Sequence, residues 1–210
     1  MKSKITIGPL PAMFVALFEP TPGPDGGGTL KYRSTFIWPK KDKATTKAVI
    51  GAIIAAAEEG VKKNIYTADD VKTIKTLTKV SNIGRLKNLQ PLRDGDYELE
   101  TPGTKKKPED WAGMYYFNAN AIRQPGMIDL QGQQIINEDE MYSGVPVKAQ
   151  INFYPWNKPT KRVCAGLNNL LKTGDGERRD GIESATSAFA DDIDMPDVEL
   201  DGGADALDMS

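Results

Sequence analysis

Five or so segments of alternating polarity, joined by turn residues and interrupted by a helical stretch, predict a mainly β fold. The expected architecture is a small antiparallel β-barrel with one or two inserted helices. After Thr173 the composition changes abruptly, which predicts a body of residues 1–173 and a disordered acidic C-terminal tail of residues 174–210. At 210 residues the chain is long enough for one domain with a single core.

The elements follow in order. Ile5–Ile7 and Ala12–Glu19 read as strands, separated by Gly8, Pro9 and Pro11. The run from Pro20 to Gly28 holds three prolines and four glycines and is a connection. In Leu30–Trp38, Tyr32, Ser34, Phe36 and Trp38 share one side; Lys31, Arg33, Thr35 and Ile37 share the other. A helix follows, with Asp42 as N-cap and Gly60 as its left-handed end; Ile50, Ile53, Ile54 and Ala57 recur at helical spacing. Thr67 opens an approximate capping box with Asp70, and Val71, Ile74 and Leu77 mark a second, short helix.

Ser81–Asp110 is polar and rich in turn residues. Strands resume at Met114–Ala121 and Gly126–Leu130. The strongest alternation is Val145–Trp156, where Val145, Val147, Ala149, Ile151 and Phe153 form a core face. Lys148, Gln150, Asn152, Tyr154 and Trp156 stand opposite, a polar face containing aromatics. A last strand, Arg162–Leu167, brings Val163, Ala165 and Leu167 to one side. The oligonucleotide-binding (OB) fold is one barrel of this kind, and periodicity leaves a β-sandwich open.

Charge is unevenly spread. From Asp175 onward there are 12 acidic and 2 basic residues, against chain totals of 29 and 27. The body therefore carries 17 acidic and 25 basic residues, a net of +8 before a tail of net −10. A basic body with an acidic tail points to a polyanion-binding surface and a protein-docking tail. The tail's Phe189, Ile193, Met195, Val198, Leu200 and Leu207 give it more than a solubilising character.

There is no histidine and one cysteine, Cys164. This removes the commonest general base, the usual zinc sites and any intrachain disulfide. Glu138, Asp139 and Glu140 read as a turn, because consecutive residues alternate sides and do not converge easily on a metal. A magnesium-dependent nuclease built on them is the third reading. Gly26–Gly28 lacks the Gly-Lys-Ser/Thr ending of a phosphate loop. No window reaches the roughly 18 apolar residues of a membrane helix. These features predict a cytoplasmic protein that is not an enzyme and holds no metal or cofactor.

Binding a single strand requires cations for phosphates and rings on which bases stack. The sequence interleaves the two. The candidate contacts are Lys31, Arg33, Lys40, Arg93, Lys148, Tyr154, Trp156 and Arg162, with Tyr32 and Trp111 as lesser stacking candidates. Tyr154 and Trp156 carry most weight, because their strand already has a complete apolar face opposite. The competing reading is an interaction or assembly module whose basic face takes an acidic protein. The sequence leaves a homodimer open.

Several stretches, in order, carry a resemblance: Leu92-Arg93-Asp94-Gly95-Asp96, Met141-Tyr142-Ser143-Gly144, Val147–Tyr154, Cys164–Asn169 and Phe189-Ala190-Asp191-Asp192. Together they resemble a family of bacteriophage proteins whose characterised relatives are OB-fold single-stranded-DNA-binding replication proteins. The resemblance runs from the first strand to the tail. It implies an OB barrel, single-stranded DNA as ligand and a role in phage DNA replication, recombination or repair. It also implies replication or recombination proteins as partners of the acidic tail, in the cytoplasm of an infected bacterium.

Overall fold

The computed structural model describes residues 2–22, 28–79, 82–83, 89–100 and 111–179. Strand β1, Lys4–Thr21, is continuous across the glycine and prolines that the sequence reads as a break. It bends instead of stopping. A register shift falls between Ile7 and Leu10, where the ladder makes no demand on the Pro9 nitrogen. Gly8 sits there at φ +106°, so close to the sheet that a Cβ would lie 2.4 Å from the Val147 carbonyl oxygen. Only glycine fits. The bend lets the first half of β1 pair with β6 (Pro146–Trp156) and the second half with β2 (Lys31–Pro39).

Strand β2 pairs antiparallel with β4 (Met114–Ala121), and β6 pairs antiparallel with β7 (Arg162–Lys172). One parallel pair, Asn120 with Gly166, joins β4 to β7 and closes five strands into a barrel. Around the circuit the order is β1-β2-β4-β7-β6, antiparallel except at the β4–β7 closure. This is the OB barrel that the resemblance implies, and it settles against the sandwich that alternation leaves open. Two short strands extend it: β3 (Arg93–Asp94) beside β4, and β5 (Gly126–Ile128) parallel to β7. Strand β3 and helix α3 (Gly95–Glu100) lie in a segment the sequence reads only as polar and turn-rich.

The inward faces are those the alternation marks. Phe36, Trp38, Phe117, Val147, Ala149, Ile151, Phe153, Val163, Ala165 and Leu167 fill the main core. Helix α1, Lys43–Lys62, lays Val49, Ile53 and Ala56 onto it, and helix α2, Ala68–Leu77, adds Val71 and Ile74. Asp42 caps α1 by accepting from the Thr45 N–H at 3.0 Å. The capping box of α2 is complete: Thr67 accepts from the Asp70 N–H, and the Asp70 carboxylate accepts from the Thr67 N–H.

Gly60 does not end α1. It is buried within the last turns, and Asn64 takes the left-handed conformation, at φ 57°. Gly60 is small for a different reason. A Cβ there would lie 2.6 Å from the Tyr66 ring and 2.9 Å from Pro155.

Residues 174–179, which composition assigns to the tail, run along the barrel. The Tyr142 hydroxyl donates to the Gly176 carbonyl at 3.0 Å and accepts from its N–H at 2.8 Å. The Arg179 N–H donates to the Ser143 carbonyl, and the Arg178 guanidinium lies over the Tyr142 ring. The rest of the tail lies outside the described residues. Among those residues, no helix is long and apolar enough to cross a membrane.

Candidate nucleic-acid interface

Strand alternation decides what the barrel presents outward. On β2, Phe36 and Trp38 point into the main core, so Lys31, Arg33 and the buried Thr35 stand on the other side with Ile37. Register places Asn118 opposite Thr35 and Asn120 opposite Arg33, and the Thr35 hydroxyl donates to the Asn118 side-chain oxygen at 2.7 Å. On β6 and β7, Tyr154 lies opposite Cys164 and Trp156 opposite Arg162, beside the buried Phe153 and Val163. Where β4 meets β7, Gly166 leaves the backbone bare. The Tyr154 ring settles on it: a Cβ at Gly166 would be 3.4 Å from Tyr154 Cε1.

These elements enclose an open cleft of about 420 Å³. Lys31 enters from the start of β2, Arg93 from β3, and Tyr154 and Arg162 from the two sides of the β6–β7 turn. Asn118, Asn120, Thr160 and Cys164 complete its polar wall. None of the described lining residues is acidic, so the lining sets three cations, Lys31, Arg93 and Arg162, around one ring. Such a site suits a chain of phosphates with a base stacked on the ring.

Burial raises the Tyr154 hydroxyl above its ordinary pKa, with the neighbouring Cys164 adding to the effect. Burial also raises the Cys164 thiol, partly opposed by Arg162. Both groups are neutral near pH 7, which leaves the cleft's positive charge intact. Trp156 stands at the mouth, 43 % exposed. Its ring meets Tyr154 edge-on, centroids 6.4 Å apart and planes at 85°, and its indole N–H donates to the Lys158 carbonyl. Nearby Lys161 reaches Asp70 at 2.8 Å and ties the turn to the start of α2.

Of the ten sequence candidates, the cleft gathers Lys31, Arg93, Tyr154 and Arg162, with Trp156 beside Tyr154. Trp111 is corrected: it is fully buried. It packs with Met13, Ile37 and Tyr116 in a second apolar cluster outside the barrel wall, its ring centroid 4.7 Å from that of Tyr116, and so has no face for a base. Lys40 lies outside the cleft lining. Its ammonium is paired with Asp94 at 2.5 Å and Asp96 at 2.6 Å and lies over the Tyr115 ring.

Lys148 is exposed but six residues from Tyr154, about 20 Å along the strand. It borders a separate shallow groove with Ile128 and Leu171. Tyr32 is half-buried on the side of β2 that carries the core residues. Arg33 donates to the Thr21 carbonyl at 2.9 Å and braces the end of β1. The Lys105-Lys106-Lys107 triplet lies outside the described residues. The sequence reading missed Asn118 and Asn120, although the alternation in Met114–Ala121 already sets them opposite Phe117 and Ala119.

Comparison with known proteins bears on the fold and the family. Residues 3–199 match the family described as Enterobacter phage Enc34, ssDNA-binding protein. The chain is 29 % identical over 197 residues to "Putative protein p50" of Acyrthosiphon pisum secondary endosymbiont phage 1, covering 93 % of this chain and 97 % of that one. It superposes on the single-stranded DNA-binding protein from bacteriophage Enc34 in complex with ssDNA with a TM-score of 0.62. That match has 24 % identity and covers 84 % of this chain and 89 % of the other. For gp2.5, a single-stranded DNA binding protein encoded by bacteriophage T7, the TM-score is 0.52, with 15 % identity and 87 % and 98 % coverage. With an OB barrel in place and the family match spanning nearly its whole length, the chain belongs to the family of the Enterobacter phage Enc34 ssDNA-binding protein.

Proposed function

We propose that this protein binds single-stranded DNA without sequence preference and without catalysis, in support of phage DNA replication, recombination or repair. One observation carries the reading: Lys31, Arg93 and Arg162 converge around the Tyr154 ring in a cleft whose described lining has no acid. Cations take the phosphates, and Tyr154, with Trp156 at the mouth, takes bases. Neither contact reads a base edge, so affinity tolerates sequence and falls with salt. Family membership supports the same ligand class.

The acidic tail, net −10 from Asp175, serves as a docking segment for replication or recombination proteins in the host cytoplasm. By its charge it also competes with DNA for the body's basic face.

The test is binding of fluorescent oligo-dT and a matched duplex to the full chain at two salt concentrations. The expected result is preference for the single strand, weakened by salt, with Tyr154→Ala costing about 1–3 kcal/mol. Equal affinity for duplex and single strand, or an unchanged Tyr154→Ala variant, would replace this reading with an acidic protein partner.

A further inference from the structure

Lys40 lies outside the cleft, yet everything it holds leads there. Its backbone N–H donates to the Gly113 carbonyl at 2.9 Å. Its ammonium bridges Asp94 and Asp96, whose own contacts continue the link. Asp94 accepts from the Asp96 N–H at 3.0 Å, and Asp96 accepts from the Gly113 N–H at 2.6 Å.

The clamp thus fastens three pieces: the turn after β2, the β3–α3 corner and the start of β4. Strand β3 is short, and besides this clamp it is held by Gln90, whose side chain bonds the Leu92 backbone and whose carbonyl accepts from the Arg93 guanidinium at 2.8 Å. Its ladder has only two pairs, Arg93 with Tyr116 and Asp94 with Tyr115. Arg93 is the residue before Asp94, and it is the one cleft cation carried by this short strand.

We propose that Lys40 is a positioning residue, which holds Arg93 on the DNA cleft by clamping Asp94 and Asp96 without touching DNA itself. The proposal rests on the single-strand reading above. It assigns a role to the lysine that the sequence alone reads as a phosphate contact.

The test is a double-mutant cycle on oligo-dT binding by the full chain, measured across a salt series. The variants are Arg93→Gln, Lys40→Met and the pair, with thermal unfolding of each to establish that it folds. Loss of one phosphate contact on a single strand lowers the salt slope by about 0.7. Arg93→Gln and Lys40→Met should each lower it by that amount. The pair should lower it no further, and Lys40→Arg should restore it. Slopes that add in the pair would make Lys40 a direct contact and overturn the proposal. A Lys40→Met chain with unchanged affinity and slope would overturn it too, leaving the clamp a matter of stability.

Asp96→Asn supplies a second variant, independent of the lysine and gentler on folding. It removes a negative charge close to the cleft, so simple electrostatics makes it bind DNA more tightly. Under the clamp it binds more weakly, with a reduced slope. Tighter binding would refute the clamp. If the unaltered chain itself fails to prefer oligo-dT, the single-strand reading falls, and the clamp falls with it.

Discussion

At the scale of single residues, the cleft makes a chemical prediction through Cys164. The thiol is half-buried, lines the cleft and lies opposite Tyr154 in the ladder. Burial raises its pKa above the ordinary value of 9.0, despite the pull of Arg162 in the other direction. Only the thiolate reacts, so at pH 8 a disulfide reagent should label Cys164 more slowly than it labels free cysteine. Saturating oligo-dT should slow it further by covering the cleft. An equal rate with and without the oligonucleotide would place the DNA elsewhere. Trp111 and Tyr154 show why such distinctions escape composition. Both rings lie near cations in the chain, but one closes an apolar cluster and the other lies on bare backbone at Gly166.

At the scale of elements, α1 poses a contest of signs at Gly60. Alanine in a helix interior is favoured over glycine by about 1 kcal/mol. Here its Cβ would meet the Tyr66 ring at 2.6 Å and Pro155 at 2.9 Å. Overpacking of this kind costs about 1–3 kcal/mol, so Gly60→Ala should destabilise the protein in urea unfolding despite the gain in propensity. The contact fixes α1 and the following turn against the end of β6, where the Trp156 N–H also reaches the Tyr66 hydroxyl at 3.4 Å. That strand end carries both Tyr154 and Trp156, so helix packing and cleft geometry meet at one place. A stabilised Gly60→Ala chain would show that the contact yields easily.

For the whole molecule, the titratable groups define the range of pH in which it is most stable. Thr45 holds Asp42 below the usual carboxylate range, as Lys75 does Glu58, Lys63 does Glu59, Lys161 does Asp70 and Lys40 does Asp96. A carboxyl with a lowered folded pKa binds fewer protons folded than unfolded, so its contribution is complete above the unfolded value and is lost as pH falls. Stability should therefore decline below pH 4.5, the ordinary glutamate value. At the other end, burial pushes Tyr66 up to about 12 from 10.0. Its neutral folded form loses ground as pH rises past 10. With no histidine in the chain, no imidazole titrates between these limits, and the buried Cys164 thiol, raised from 9.0, begins the alkaline edge. Urea midpoints from pH 3 to pH 11 should show a plateau with two falling edges. A step near pH 6.5 would contradict this assignment of groups.

What the sequence determined by itself was everything with a short period or a local partner. Alternation in Val145–Trp156 separated core from outward face, and Asp42 and Thr67 marked two helix starts, while residues 174–179, which composition gives to the tail, run along the barrel. The outward placing of Tyr154 and Arg162 follows from the same alternation, whereas Arg93 lies in a segment that the sequence reads only as polar and turn-rich. The tertiary structure alone decided what depends on distant strands meeting. The bend at Gly8 exists because β1 must serve two partners, and Pro9 is tolerated there because it falls in a register shift. Lys40 is spent on Asp94 and Asp96, 54 and 56 residues away in the chain, and no local pattern announces such a pairing. The cleft belongs to this class as well: it forms where β4 and β7 close the barrel through Asn120 and Gly166, and burial there, not residue type, selects which rings and cations are left to face a ligand.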